Sequence, residues 1–320
     1  MDSHAHTRNP GIPLDLDWVE GIRVNRSAAE RRAATLPGRR TVKKQWQSAW
    51  LLKAITCIDL TTLSGDDTAG TVQRLCAKAR MPLQEEMRSK LGITDMPIQC
   101  GAVCVYHEWV ETAVRALEGT GIPVAAVSAG FPHGQSPFRE RIHEIKASVA
   151  AGAQEIDIVI TRAHVLNSDW QALYDEVQQF REACGEAHLK SILATGELST
   201  LTNVAKASAV AMMAGSDFIK TSTGKEGVNA ITPVGLTMCR QIRDFQAQTG
   251  YKVGFKPAGG IRTAKQVLDW LILMKEELGH DWLQPDLFRV GASTLLADIE
   301  RQLEHNATGR YSAFNRHPMG

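Results

Sequence analysis

Two lysines that strand alternation sends into an interior carry most of the chemistry legible in this chain: Lys220 in "SDFIKTSTGKEG" and Lys256 in "VGFKPAGG". A buried ammonium costs several kcal/mol if it stays charged and unpaired, so such residues need a reason. Ile219 takes one face of its run and Lys220 the other; Val253 and Phe255 lie opposite Lys256. The same parity sets Asp157 against Ile156, Ile158 and Ile160 in "EIDIVI", and Asp59 against Ile58 and Leu60 in "CIDLT". Two aspartates and two lysines therefore converge on one interior. One inward charge is readily explained as a structural ion pair; four are not, because buried ionic networks stabilise weakly. Lys190 in "HLKSIL" also points inward but sits near the start of its run, which assigns it to a core ion-pair network.

On neighbouring strands, Lys220 and Lys256 would have backbones about 4.8 Å apart. An ordinary lysine, with a pKa of about 10.4, is neutral only about once in 2,500 molecules at pH 7. Two ammonium groups about 6 Å apart at an effective dielectric near 20 repel by about 3 kcal/mol, or about two pKa units, and desolvation adds to this. The pair thus favours a neutral amine on one lysine, and such an amine attacks carbonyl carbon to form a Schiff base. The partner lysine and Asp157 are then placed to move protons. Electrostatics alone leaves open which lysine attacks.

Three glycine-containing runs, "STGK", "PAGGIR" and "VGAST", end the last three strand-like segments and offer backbone N–H groups and hydroxyls to an anion, with Lys225 and Arg262 as added charge. A P-loop is excluded, since Gly224-Lys225 is followed by Glu226 and Ile219 stands where that motif has its first glycine.

The elements that must position these residues begin at Ala54. Short β-rich runs, "AITCIDLTTL", "IQCGAVCVY", "VAAVSAGF", "EIDIVIT", "LKSILAT", "FIKTSTG", "VGFKPAGG" and "FRVGAST", alternate with segments of helical periodicity such as "LYDEVQQFREAC" and "AKQVLDWLILMKEEL". A period of about 30 residues is what parallel βαβ connections require. The runs are apolar throughout except near their C-terminal ends, where the chemistry of a (β/α)8 barrel sits. That fold is the expectation for residues 54–305. A doubly wound open sheet is the alternative, but "IDLTTLSGDD" lacks the glycine fingerprint that would announce a dinucleotide. Residues 1–53 read as an N-terminal extension ending in a covering helix, "TVKKQWQSAWLLK", with Trp46, Ala49, Trp50 and Leu51 at helical spacing. Residues 306–320 read as a C-terminal tail, and "HAH" near the N-terminus as a disordered one.

Among 320 residues, Lys+Arg 36 against Asp+Glu 35 leaves a net charge of +1, which argues against nucleic acid or anionic membrane as partners. The six cysteines, without Cys-x-x-Cys pairs, read as thiols of a reducing compartment, and no apolar run reaches the roughly 18 residues of a membrane span. A cytoplasmic protein without a targeting segment is expected. Scattered histidines form no metal-ligand pattern, so neither metal nor other cofactor is expected. Cys104 in "GAVCVY" reads as a buried strand thiol. A homodimer is compatible with the sequence, which does not fix the assembly.

Taken together, "IDLTTLSGDDT", "AVCVY", "EIDIVI", "FIKTSTGK", "GFKPAGGIR" and "RVGAST" closely resemble the deoxyribose-phosphate aldolase family, in its animal type with an N-terminal extension, from about Leu14 to about Tyr311. The resemblance implies a class I, metal-free aldolase that reversibly cleaves 2-deoxy-D-ribose 5-phosphate to acetaldehyde and D-glyceraldehyde 3-phosphate. It implies Lys220 as the Schiff-base lysine, Lys256 as the residue that perturbs it or exchanges protons with it, and Asp157, with water, as proton donor and acceptor. Asp59 would support the network, Thr61 would face substrate hydroxyls, and Cys104 would lie nearby. The phosphate would map onto Gly224, Lys225, Gly259, Gly260, Arg262, Ser293 and Thr294. The chain departs from the family pattern at Tyr106-His107, where tyrosine–proline often stands, and in ending "NRHPMG" where some bacterial members carry a tyrosine that reaches the site. Two other readings stay open: a transaldolase-like or different sugar-phosphate lyase, and a sugar-phosphate-binding barrel without turnover.

Overall fold

The computed structural model describes residues 8–313 and 315–317, so His4 and His6 of "HAH" lie outside the described residues. Eight parallel strands follow in order: β1 (Ile58–Thr61), β2 (Ala102–Tyr106), β3 (Val124–Ser128), β4 (Glu155–Val159), β5 (His188–Ile192), β6 (Phe218–Lys220), β7 (Gly254–Lys256) and β8 (Val290–Ala292). Each pairs with its sequence neighbour from β1 to β7, and β8 pairs with β1. Backbone hydrogen bonds close the ring between β7 and β8. Phe255 N–H donates to the Leu287 carbonyl at 2.9 Å, Arg289 N–H to Phe255 at 3.1 Å and Gly291 N–H to Pro257 at 3.0 Å. The architecture is the expected (β/α)8 barrel; an open sheet would have left both edges unpaired.

The outward faces of the strands, including Ile58, Leu60, Ile156, Ile158, Ile219 and Phe255, join the core beneath the helix layer. Inside the ring a separate, small apolar cluster contains Cys104, Ala125 and Val127. The helices follow from periodicity and capping. In Trp170–Ala183, Asp169 caps the N-terminus and Leu173, Val177 and Phe180 repeat on the buried face. Thr263 and Gln266 form a capping box on Ala264–Glu277.

The N-terminal extension adds a further layer. Helix Leu201–Met213 is buried on nearly every side, as befits a sequence that is mostly apolar or small; its Lys206 is buried with Nζ donating to Glu20 at 2.7 Å. Helix Leu16–Gly21 covers it from outside, while helix Arg26–Thr35 lies on helix Thr232–Thr249. Upstream, the Asn9 side chain donates to the carbonyls of Met212, at 2.8 Å, and Ser216, at 2.9 Å. Asp217 accepts the Asn9 N–H at 2.8 Å. The Met212 carbonyl keeps the Gly215 N–H, at 3.1 Å, so Asn9→Ala should leave the buried Ser216 carbonyl unsatisfied and lower stability by about 1–3 kcal/mol in urea unfolding, with activity at saturating substrate unchanged.

The covering helix differs from expectation in face and length. It spans Lys44–Thr56, so Ala54–Thr56, read as the start of a strand, are helical. Leu51, Ala54 and Ile55 are buried, whereas Trp46 is 66% exposed. The helix packs against Ala264–Glu277 and Leu295–Thr308, and its apolar positions nearest β1 outcompete the tryptophan for that contact. The boundary at 53/54 falls inside this helix, and the last helix, Leu295–Thr308, runs past residue 305. Among the described residues no helix is long and apolar enough to cross a membrane.

Candidate active site

Strand register brings the charged residues together. Lys220 and Lys256 are direct partners across β6 and β7, and Asp157 pairs with Lys190 across β4 and β5. Asp157 Oδ2 accepts hydrogen bonds from both Lys220 Nζ and Lys256 Nζ, each at 2.7 Å. Lys256 also donates to Asp59 Oδ2, and Lys190 donates to the same oxygen at 3.0 Å. Asp157 Oδ1 makes no hydrogen bond among the described residues; Lys190 Nζ lies 3.4 Å from it. Two further residues complete the network. Arg289, just ahead of β8, donates to Asp59 Oδ1 at 2.6 Å and to Glu155 Oε1 at 2.8 Å, and Glu155 also accepts from Lys190.

The Phe218 ring floors this cluster, 5.8 Å from Lys190 Nζ and 6.0 Å from the Arg289 guanidinium. Gly254 is required beside it, because a Cβ there would come within 2.3 Å of the ring. Lys190 lies in the core network as expected, although it also approaches Asp157.

Burial and charge act on the two lysines with different outcomes. Burial lowers the Lys220 pKa and the Lys256 charge lowers it further, against the single opposing carboxylate of Asp157. Burial acts on Lys256 in the same direction, but Asp157 and Asp59 together overcome it and hold Lys256 above the ordinary lysine range. Burial alone would raise both aspartates. Lys190, Lys256 and Arg289 nonetheless keep Asp59 well below the usual carboxylate range, and Lys190, Lys220 and Lys256 do the same for Asp157. The choice left open by electrostatic repulsion alone is thus made by carboxylate count: Lys220 is the lysine biased towards the neutral amine. Cys104, in the apolar cluster beside the network, is pushed up by burial and remains a thiol.

Of the network, Lys220 lines a cavity of about 250 Å³ at the C-terminal ends of the strands. Thr61, Gly224, Lys225, Gly259, Gly260, Arg262, Ser293 and Thr294 line the same cavity, so the expected polar loops and Lys220 share one space. Thr61 Oγ1 donates to the Asp59 carbonyl at 2.7 Å, and Lys225 Nζ reaches the Leu63 carbonyl at 3.3 Å across the cavity mouth. Gly259 has φ +83°, and a Cβ there would lie 2.7 Å from Asn229, so the loop demands glycine. A larger groove of about 1010 Å³ lies among helices Lys44–Thr56, Glu85–Leu91 and Leu295–Thr308, but its lining contains no carboxylate and none of the network.

One loop behaves differently from expectation. The Gly224 N–H, counted as an anion donor, donates to Glu226 Oε2 at 3.1 Å, as do Thr223 N–H at 3.0 Å and Thr223 Oγ1 at 2.8 Å. Gly224 contributes its positive φ of 86° to the turn, and the buried Glu226 carboxylate occupies the donors. Arg162 stands behind it, 3.9 Å from Glu226, and donates to the carbonyls of His133 and Pro132 from the loop after β3.

The two departures from the family pattern also have locations. After Tyr106 the chain enters a short helical turn, His107–Trp109; His107 Nδ1 meets Ser148 Oγ at 3.1 Å, away from the cavity. Tyr106 packs edge-on to Phe131 at 5.8 Å. Tyr311 is 90% exposed and stacks on His305, and His317 sits between Glu300 and Glu304. Neither Tyr311 nor His317 lines the cavity. No group of three or more His, Cys, Asp or Glu is placed to hold a metal among the described residues.

A closed parallel barrel with a titratable network running through its interior to Lys220 and Lys256 at the C-terminal ends of β6 and β7 defines the chain as a (β/α)8-barrel enzyme. It belongs to the DeoC/LacD aldolase family, whose model matches residues 53–300. It is 62% identical over 317 residues to the deoxyribose-phosphate aldolase of Homo sapiens, covering 98% of this chain and 99% of that one. It is 62% identical over 311 residues to the enzyme of the same name from Bos taurus, covering 97% and 98%. The tetrameric structure of deoxyribose phosphate aldolase from Aeropyrum pernix matches with a TM-score of 0.59 at 19% identity, over 88% of this chain and 99% of that chain, a likeness of fold.

Proposed function

We propose that this chain reversibly cleaves 2-deoxy-D-ribose 5-phosphate to D-glyceraldehyde 3-phosphate and acetaldehyde, with Lys220 as the Schiff-base lysine. The observation that carries the assignment is that Lys220, with one carboxylate partner, is the network lysine that lines the cavity. Its neutral amine adds to C1 of the open-chain sugar, and loss of water gives an iminium. Removal of the C3 hydroxyl proton then breaks the C2–C3 bond. The bond's electron pair moves into the iminium to give an enamine, and C3 leaves as the aldehyde carbon of D-glyceraldehyde 3-phosphate. Protonation of the enamine at C2 and hydrolysis release acetaldehyde and restore the amine.

Asp157 Oδ1, without a hydrogen bond of its own, is the acceptor we assign to these transfers. Held so far below the usual carboxylate range, it is a weak base and works through water. Lys256, held protonated, disfavours a second positive charge on Lys220 before attack. Cys104, Ala125 and Val127 form an apolar cluster packed against Leu63, which lines the cavity and offers an apolar surface to the two-carbon fragment. At the other end, Lys225, Arg262, Gly259, Gly260, Ser293 and Thr294 receive the phosphate, while Gly224 shapes the loop. A cytoplasmic location accords with six free, buried cysteines.

The decisive assay is release of acetaldehyde from 2-deoxyribose 5-phosphate with a chelator present; no release would end this reading. Phosphate recognition has its own test. Lys225→Ala should raise KM for the phosphorylated sugar by about 10-fold, the loss of one charge-assisted contact, with little change in kcat/KM for free deoxyribose. An equal loss with both sugars would contradict the phosphate assignment.

A further inference from the structure

Among the described residues the barrel interior holds four cationic side chains, Lys190, Lys220, Lys256 and Arg289, joined to three carboxylates, Asp59, Glu155 and Asp157. The cluster is electrically balanced when one cation gives up its proton, and a guanidinium does not do so. Carboxylate partners rank the lysines: Lys190 has three, Lys256 two and Lys220 one. We propose that Arg289 and Glu155, at the end of the cluster remote from the cavity, are positioning residues that fix this charge count, so that the proton the interior sheds comes from Lys220. The proposal rests on the reading of Lys220 as the Schiff-base lysine and names what sets its state.

The geometry gives each residue a definite effect. Arg289 occupies Asp59 Oδ1 and bridges both oxygens of Glu155, at 2.8 and 3.2 Å. Asp59 Oδ2 is thereby left to Lys190 and Lys256, and neither Arg289 nor Glu155 touches Lys220. Without Arg289 the interior would hold three cations and three anions, and Lys220 could keep its proton in a neutral cluster. Without Glu155 it would hold four and two, and the proton would leave more readily. Lys220 is faced by Asp157 from β4, Lys256 from β7 and Cys104 from β2. Asp59 from β1 and Lys190 from β5 lie behind Asp157 and Lys256. A unit charge about 10 Å away, at an effective dielectric near 20, shifts such a group by about one pKa unit.

The test is the pH dependence of trapping by acetaldehyde with sodium cyanoborohydride, which avoids the titration of a phosphorylated substrate. The wild-type rate rises with pH through the Lys220 titration. Arg289→Gln should move that limb up by about one pH unit, and Glu155→Gln should move it down by a similar amount. The double variant, with the count again one cation in excess, should return it to the wild-type position. A purely structural role predicts lower rates with an unmoved limb, and that result, or a double variant that does not return, overturns the proposal. If Arg289→Gln fails to fold, the double variant still decides, since it removes both partners of a buried pair and is predicted to keep the wild-type limb. Absence of trapping in the wild type would instead refute the Schiff-base reading itself.

Discussion

Lys220→Met should lose about 10⁴-fold or more in kcat for cleavage of 2-deoxyribose 5-phosphate and still fold. The loss follows from removing the covalent route, because among the described residues no other interior amine is both biased towards the neutral form and open to the cavity. Lys256 is held above the ordinary lysine range by two carboxylates, and Lys190 is likewise raised by Asp157, Asp59 and Glu155 against its burial. Folding survives because Asp157 Oδ2 keeps the Lys256 hydrogen bond, and the interior is left with equal numbers of cations and anions. Because Lys220 is biased towards the neutral amine, a methionine of similar volume removes no charge that the remaining three cations and three carboxylates need for balance. A variant that keeps cleavage within 10-fold of wild type would remove Lys220 from the chemistry.

Asp59→Asn should have the opposite character, with stability as the first casualty. Asp59 is fully buried and accepts from Lys190, Lys256 and Arg289; an amide there offers one acceptor oxygen and turns two N–H donors towards cations. Breaking a buried pair leaves uncompensated charge and costs about 3–5 kcal/mol, measurable by urea unfolding. The folded-state pKa of Asp59 lies well below its unfolded value, so its contribution is fully present above about pH 4 and lost as pH falls below that value. The gap between wild type and variant should hold from pH 7 to about 5 and shrink below about 4. A gap that widens on acidification would contradict the assigned charge state.

Strand parity carried much of the site. It identified Asp59, Asp157, Lys220 and Lys256 because each interrupts an otherwise apolar run, and the register confirms the proximity of the lysine pair. The same rule, applied two residues before Asp157, would have found Glu155 on the inward face; applied to "FRVGAST" it would have found Arg289 opposite Val290. Their positions at the strand starts, away from the catalytic ends, drew attention elsewhere.

Other features were not legible in principle. The capture of the Thr223 and Gly224 N–H groups by Glu226 depends on a local turn, which no periodicity reports. Trp46 on the surface reflects competition among apolar positions for a limited contact area, settled by tertiary packing. The second layer over helix Leu201–Met213 left a trace in the sequence, since a helix with so few polar residues requires cover on most sides, but the identity of the cover was not recoverable from that helix alone.

The central claim is that Lys220 forms the Schiff base, and chemical trapping tests it most directly. The protein is incubated with acetaldehyde and sodium borohydride in the presence of a chelator, then digested and mapped by mass spectrometry. The account predicts stoichiometric inactivation with one reduced ethyl adduct, on Lys220. An adduct on Lys256 or Lys190, or inactivation without an adduct on Lys220, would contradict it.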